Sequence, residues 1–294
     1  MTEVDTAVLQ RAWSGVDGIL VINLDSRPDR YARFTEQARP FFPGREIERI
    51  SAVAGRELLS FGKEPWFTEN TADRAGYWGG VAGCTLSHRK AIAYAREKGW
   101  RNVLIFEDDV RFEMNRDSLE ILGVMLPKLK GRYFCYLGYN DSPPFGWLCK
   151  RMGVASLWRT EGVITTHAYI VSSEMFDDLL AWLPQGEDVW AWLSHYRAID
   201  VFYRDFMPQR RGVSVYVVNP IICVQDDYYS DILMGEPDGP EKACRQSPRS
   251  WCSLAGVGHL LLMPYRRIKN FLNSIRTRRR GRRSGLPGYK RDRA

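Results

Sequence analysis

Val103-Leu104-Ile105-Phe106-Glu107-Asp108-Asp109-Val110 runs four large apolar residues straight into three acids. The apolar half reads as a strand buried on both faces, as in a parallel sheet. The acids then fall at its carboxyl end, where open α/β sheets bind their ligands. Three adjacent carboxylates repel one another and seldom collect without a cation to share. Oxygen-only ligands suit a hard ion such as Mg2+ or Mn2+. An ion open on one side is what a diphosphate leaving group requires. The plainer reading is a solvated acidic turn behind a core strand, and the octet alone does not separate the two.

Upstream, Gly18 to Leu24 is a first strand, almost wholly apolar, and Asp25 to Arg30 is a polar turn. Pro28 suits the first turn of a helix running to about Arg39. Residues 47–53 read as a second strand and 55–77 as a long surface segment without periodicity. Gly79, Gly80 and Gly83 precede a helical pattern that ends at Lys98, with Gly99 as its stop. Downstream come a helix over 117–129, a strand over 133–138, and a loop over 141–160 rich in Pro, Gly and Trp. A strand over 167–171, a helix over 173–183, a Trp-rich helix over 188–204 and a strand over 213–218 follow. Alternating strands and helices predict an α/β fold, a mainly parallel sheet with helices on both faces.

The 294 residues are 45% hydrophobic and 13% aromatic, which excludes a disordered chain. The six cysteines form no CxxC pair and no His spacing completes a zinc pattern, so reduced thiols in a cytosolic setting are expected. Met1 to Gly15 lacks a signal-peptide pattern, and no stretch reaches the ~20 apolar residues of a membrane span. The net charge of +7 is uneven. Residues 266–294 hold 12 Lys/Arg and one Asp, which leaves 30 basic against 34 acidic groups on the rest. A body over 1–240 and a linker with a basic tail over 241–294 are therefore expected.

Three segments line up in order: Ile22-Asn23-Leu24-Asp25 with Arg27 and Arg30 beyond, Gly83-Cys84-Thr85-Leu86-Ser87-His88, and Leu104 to Val110. Together they resemble glycosyltransferase family 25, which includes lipooligosaccharide and collagen galactosyltransferases, over about residues 18–232. The resemblance implies a GT-A type Rossmann-like fold whose acidic motif holds Mn2+ or Mg2+ against a UDP-sugar. It implies transfer of a hexose, usually galactose, with inversion. On that basis Asp109 is the main metal ligand, Asp108 touches metal or donor, and Glu107 orients them. Asn23, Leu24 and Arg27 meet the donor after the first strand, and the bland alternative for the arginines, solvated side chains, is favoured for Arg30. His88, read as lying near the start of its helix, is placed for phosphate or sugar contact. His167 is left out of the metal set. Asp200 is the candidate general base, against a plain i,i+4 ion pair with Arg204.

Leu261, Tyr265, Ile268, Leu272 and Ile275 recur at helical steps among many arginines. A basic amphipathic helix points to an anionic membrane surface, hence a peripheral place on the inner face and a saccharide or lipid-linked acceptor. Nucleic acid ranks last, because only Tyr289 stands near the charge for stacking. The rivals are a nucleotidyltransferase that makes an activated sugar and a non-catalytic membrane-surface module.

Overall fold

The computed structural model describes residues 5–67, 75–113, 115–140, 145–160, 162–225, 249–250 and 272. Along the chain run α1 (Thr6–Ala12), β1 (Gly18–Asn23), α2 (Pro28–Ala38), β2 (Glu48–Ser51), α3 (Ala75–Glu97) and β3 (Asn102–Glu107). Then come β4 (Val110–Phe112), α4 (Arg116–Met125), β5 (Arg132–Tyr136), β6 (Phe145–Met152), β7 (Ala155–Thr160) and β8 (Ala168–Ser172). The last are α5 (Phe176–Trp182), α6 (Val189–Tyr196), α7 (Ile199–Asp205), β9 (Val213–Asn219), β10 (Cys223–Gln225) and β11 (Arg249–Ser250).

Nine strands form one sheet in the order β11-β6-β7-β9-β5-β8-β3-β1-β2. β2, β1 and β3 are mutually parallel, β5 pairs parallel with β9, and β11 pairs parallel with β6. β8 lies reversed between β3 and β5, and β7 lies reversed between β9 and β6. All the other strands therefore point one way, which is the mainly parallel sheet expected.

Alternation along the buried strands splits the core in two. Leu20, Ile22, Val103 and Ile105 pack with α3, α5, α6 and α7 on one face. Ile19, Val21, Leu104 and Phe106 pack with α1, α2 and α4 on the other. Helices thus cover both faces of an α/β sheet. The register sets Ile22 beside Glu107, so the ends of β1 and β3 open at the same edge.

The structure corrects three local expectations. The helix expected to begin after the glycines of 79–83 begins at Ala75, and the glycines lie inside α3. They survive there because backbone passes close: a Cβ on Gly83 would lie 2.4 Å from the Val53 carbonyl oxygen. Much of the expected loop over 141–160 is the β6–β7 hairpin, with Leu157 and Trp158 in opposite cores. The expected helix over 188–204 breaks at Arg197, where φ is +75°, into α6 and α7. Arg249 and Ser250 join the sheet beside β6, and the rest of the 241–294 segment lies outside the described residues except 272. No helix among the described residues is long and apolar enough to cross a membrane.

Candidate active site

Polar side chains converge where β1 and β3 end. Asn23, buried at the last position of β1, donates to Asp108 Oδ2 at 2.6 Å and to the Arg27 carbonyl at 2.9 Å. Its own oxygen accepts from Arg49 Nε at 2.8 Å. Arg30, on the inner stripe of α2 with Phe34 and Ala38, bridges Asp108 at 2.5 Å and Asp109 at 3.2 Å. Gln225 donates to Asp109 Oδ2 at 3.0 Å. It gets there because β10 pairs antiparallel with β4, which puts Gln225 opposite Val110.

That leaves Asp109 Oδ1 buried with no hydrogen-bond partner. Burial also pushes the Asp109 carboxyl up from its usual range, helped by Glu107 and opposed by Arg30 and Gln225. For Asp108, burial outweighs the Arg30 guanidinium and lifts the carboxyl to about 6. An oxygen-only set with one orphaned carboxylate oxygen fits a hard divalent ion, which would favour the charged form of both acids.

Glu107 lines the same cleft but has different partners. It accepts from Thr166 Oγ1 at 2.8 Å, and His88 Nε2 lies 3.5 Å away. Burial raises its pKa, but His88 and Thr166 outweigh that and hold it low, at about 2. His88 is itself fully buried and its Nδ1 lies 2.9 Å from the Tyr169 hydroxyl. The acids wall a cleft of about 310 Å³ whose far side is Gly79, Gly80 and Gly83 of α3.

A second cavity of about 210 Å³ shares Cys84, Glu107 and Gln225 with the first. Asp200, in the first turn of α7, lines it together with Thr165 and Thr166. Burial raises the Asp200 carboxyl, with Glu107 adding to the rise, against its hydrogen bond from Val201 N. Arg204 grips Asp205 at 2.7 Å, and its charge also lowers the Asp200 carboxyl, so the i,i+4 attraction set against a catalytic role for Asp200 is present alongside that pair.

The predicted residues thus fall into two groups. Asn23, Leu24, His88, Glu107, Asp108 and Asp109 line the cleft, and Asp200 lines the adjoining cavity. Arg27 does not line the cleft; as residue before α2 it pairs with exposed Asp29 at 3.0 Å, and Arg30 is the arginine facing the acids. His88 lies mid-helix, because α3 starts at Ala75, so the helix-start argument for a phosphate contact does not apply to it. Trp158, Trp190 and Trp192 are core residues. Sequence reasoning named Arg30 but favoured a solvated side chain for it, though its i,i+4,i+8 stripe with Phe34 and Ala38 was readable. Gln225 and Thr166 carry no such signal, since only strand pairing brings them in.

The chain's match to known proteins covers the part of the site built on β1, α3 and β3. Residues 16–137 match glycosyltransferase family 25 (LPS biosynthesis protein). The resemblance read from the three motifs therefore holds over that segment. It includes Asn23, Arg30, Cys84, His88 and the acids, and it leaves out Asp200 and Gln225. The Glycosyltransferase 25 family member of Drosophila melanogaster is 36% identical over 107 residues, 33% of this chain and 17% of that protein. A Rattus norvegicus protein named probable inactive glycosyltransferase 25 family member 3 is 34% identical over 140 residues, 44% of this chain and 24% of that protein. This chain thus spans about a quarter or less of these relatives. Mannose-1-phosphate geranyltransferase from Thermus thermophilus aligns over 72% of this chain and 62% of its own at 16% identity, with a TM-score of 0.31, which carries no argument.

Proposed function

We propose that this chain is a family 25 glycosyltransferase, metal-dependent and inverting, that moves a hexose, galactose foremost, from a UDP-sugar to a hydroxyl of a glycan or lipid-linked saccharide. The observation that carries the reading is the buried, unpartnered Asp109 Oδ1 beside Asp108 in an open cleft at the end of β3. Asp109 and Asp108 hold Mn2+ or Mg2+, which when bound neutralises the departing diphosphate. Asn23 fixes the Asp108 carboxylate, and Gln225 fixes Asp109. Arg30 supplies a permanent positive charge beside both. Asp200, across the shared wall, takes the proton of the acceptor hydroxyl as it attacks the sugar carbon. Burial raises its carboxyl, the direction that makes it a stronger base.

The basic, apolar-striped segment 261–294 sets the enzyme on an anionic membrane surface, on the cytoplasmic side, where lipid-linked acceptors lie.

A non-catalytic reading has one structural observation in its favour: Arg30 already pairs with both aspartates and offsets part of their charge. Assaying UDP release from a UDP-sugar panel, with and without Mn2+, separates the readings. Metal-stimulated release that Asp200→Asn lowers about 100-fold or more supports the transferase. No release with any donor or metal supports the non-catalytic reading, and pyrophosphate production would indicate a nucleotidyltransferase.

A further inference from the structure

The wall between the two cavities carries a second ligand set of different chemistry. Cys84 and His88 stand one turn apart on α3 and so share a face, and Glu107 meets them from the end of β3. One sulfur, one imidazole nitrogen and one carboxylate oxygen from these residues lie within 4.8 Å of one another. His88 Nε2 is buried, aimed at Glu107 at 3.5 Å, and makes no hydrogen bond. At that separation Nε2 and the Glu107 carboxylate attract each other without a hydrogen bond, and an ion between them would give both a closer contact. Its other nitrogen is already anchored on the Tyr169 hydroxyl at 2.9 Å, the kind of outer contact that orients a metal-bound imidazole. Glu107 is oriented in the same way by Thr166.

We infer that Cys84, His88 and Glu107 form a binding site for a borderline-soft divalent ion such as Zn2+, separate from the all-oxygen pair Asp108 and Asp109. Three protein ligands drawn from Cys, His and Glu with one place left open is the general form of a catalytic zinc site. Tetrahedral bond lengths require the ligand atoms to draw together by up to about 1.5 Å from their present spread of 4.8 Å. Binding converts the Cys84 thiol to a thiolate, and its proton leaves to solvent. Cys84 and Glu107 line both cavities, so the open place is filled by water or by a hydroxyl-bearing ligand from either side. The site stands whether or not the chain transfers sugars.

Cobalt substitution tests it on the full chain. Metal-stripped protein is titrated with Co2+ in excess Mg2+, and absorption from thiolate-to-cobalt charge transfer is followed. The expected result is a band that saturates at a single equivalent, is displaced by Zn2+, and persists in Mg2+. Cys84→Ser, nearly isosteric, should lose the band while keeping the circular dichroism and melting temperature of the metal-free parent. Tyr169→Phe should keep the band but weaken Co2+ binding about 10- to 100-fold. No thiolate band in the parent, a band unchanged in Cys84→Ser, or a band abolished by Mg2+ overturns the assignment.

Discussion

Asp108 and Asp109 differ from ordinary surface acids because burial dominates their electrostatics even beside Arg30. Asp108 titrates at about 6 against an ordinary 3.8, so its sign is that of a raised carboxyl. Its contribution to stability is fully present below about pH 4 and is lost as pH rises through 6. Comparing melting temperatures of metal-free parent and Asp108→Asn should show the parent falling behind the variant between pH 4 and 6, by a few kcal/mol at most. A constant difference across that range would contradict the assigned burial. Arg30 acts in the other direction. Arg30→Met strands two largely buried carboxylates and should destabilise the protein by about 3 kcal/mol or more in chemical denaturation. Added Mn2+ should recover part of that loss, because the ion replaces the missing charge. The acids were legible because an apolar run led straight into them. Arg27 was preferred over Arg30, and the helical stripe of Arg30, Phe34 and Ala38 points the other way. Gln225 was not legible at all, since β4 and β10 lie far apart in sequence.

The glycines of α3 explain an error of element boundary. Read as a loop, they moved the helix start past its true place at Ala75 and put His88 at the wrong point on the helix. Inside α3 they serve close packing: a Cβ on Gly83 would strike the Val53 carbonyl at 2.4 Å, and one on Gly55, across the contact, would strike the Gly79 carbonyl at 2.0 Å. Gly83→Ala forces α3 away from residues 53–55, one wall of the cleft, and should cost about 1–3 kcal/mol. Thermal unfolding measures this, and an unchanged midpoint would mean the contact is easily relieved. The β6–β7 hairpin was missed because the Pro-rich start of the segment masked the strand pattern behind it. The break at Arg197 was missed because Trp and aliphatic residues continue through it, and this break is what starts α7 and sets Asp200 in its first turn.

Across the whole molecule, strand order places the two cavities. β1, β3 and the reversed β8 lie side by side, and the acid-lined cleft and the Asp200 cavity share lining residues. The α/β class, both covered faces and the position of the acids followed from hydrophobic periodicity. The reversed strands did not, because a fully buried strand reads the same in either direction. The basic segment belongs to this scale too. Deleting residues 265–294 should reduce partitioning to anionic vesicles, and the parent's binding should fall as salt is raised. Equal partitioning of both proteins would remove the membrane from the account. The central claim, a cation held by Asp108 and Asp109 against a sugar nucleotide's diphosphate, is tested most directly by calorimetric titration of UDP into parent and Asp109→Asn, with and without Mn2+. Mn2+ should raise the parent's UDP affinity by about tenfold or more and leave the variant's unchanged. Equal UDP affinities in parent and variant, whatever the metal, would contradict that claim.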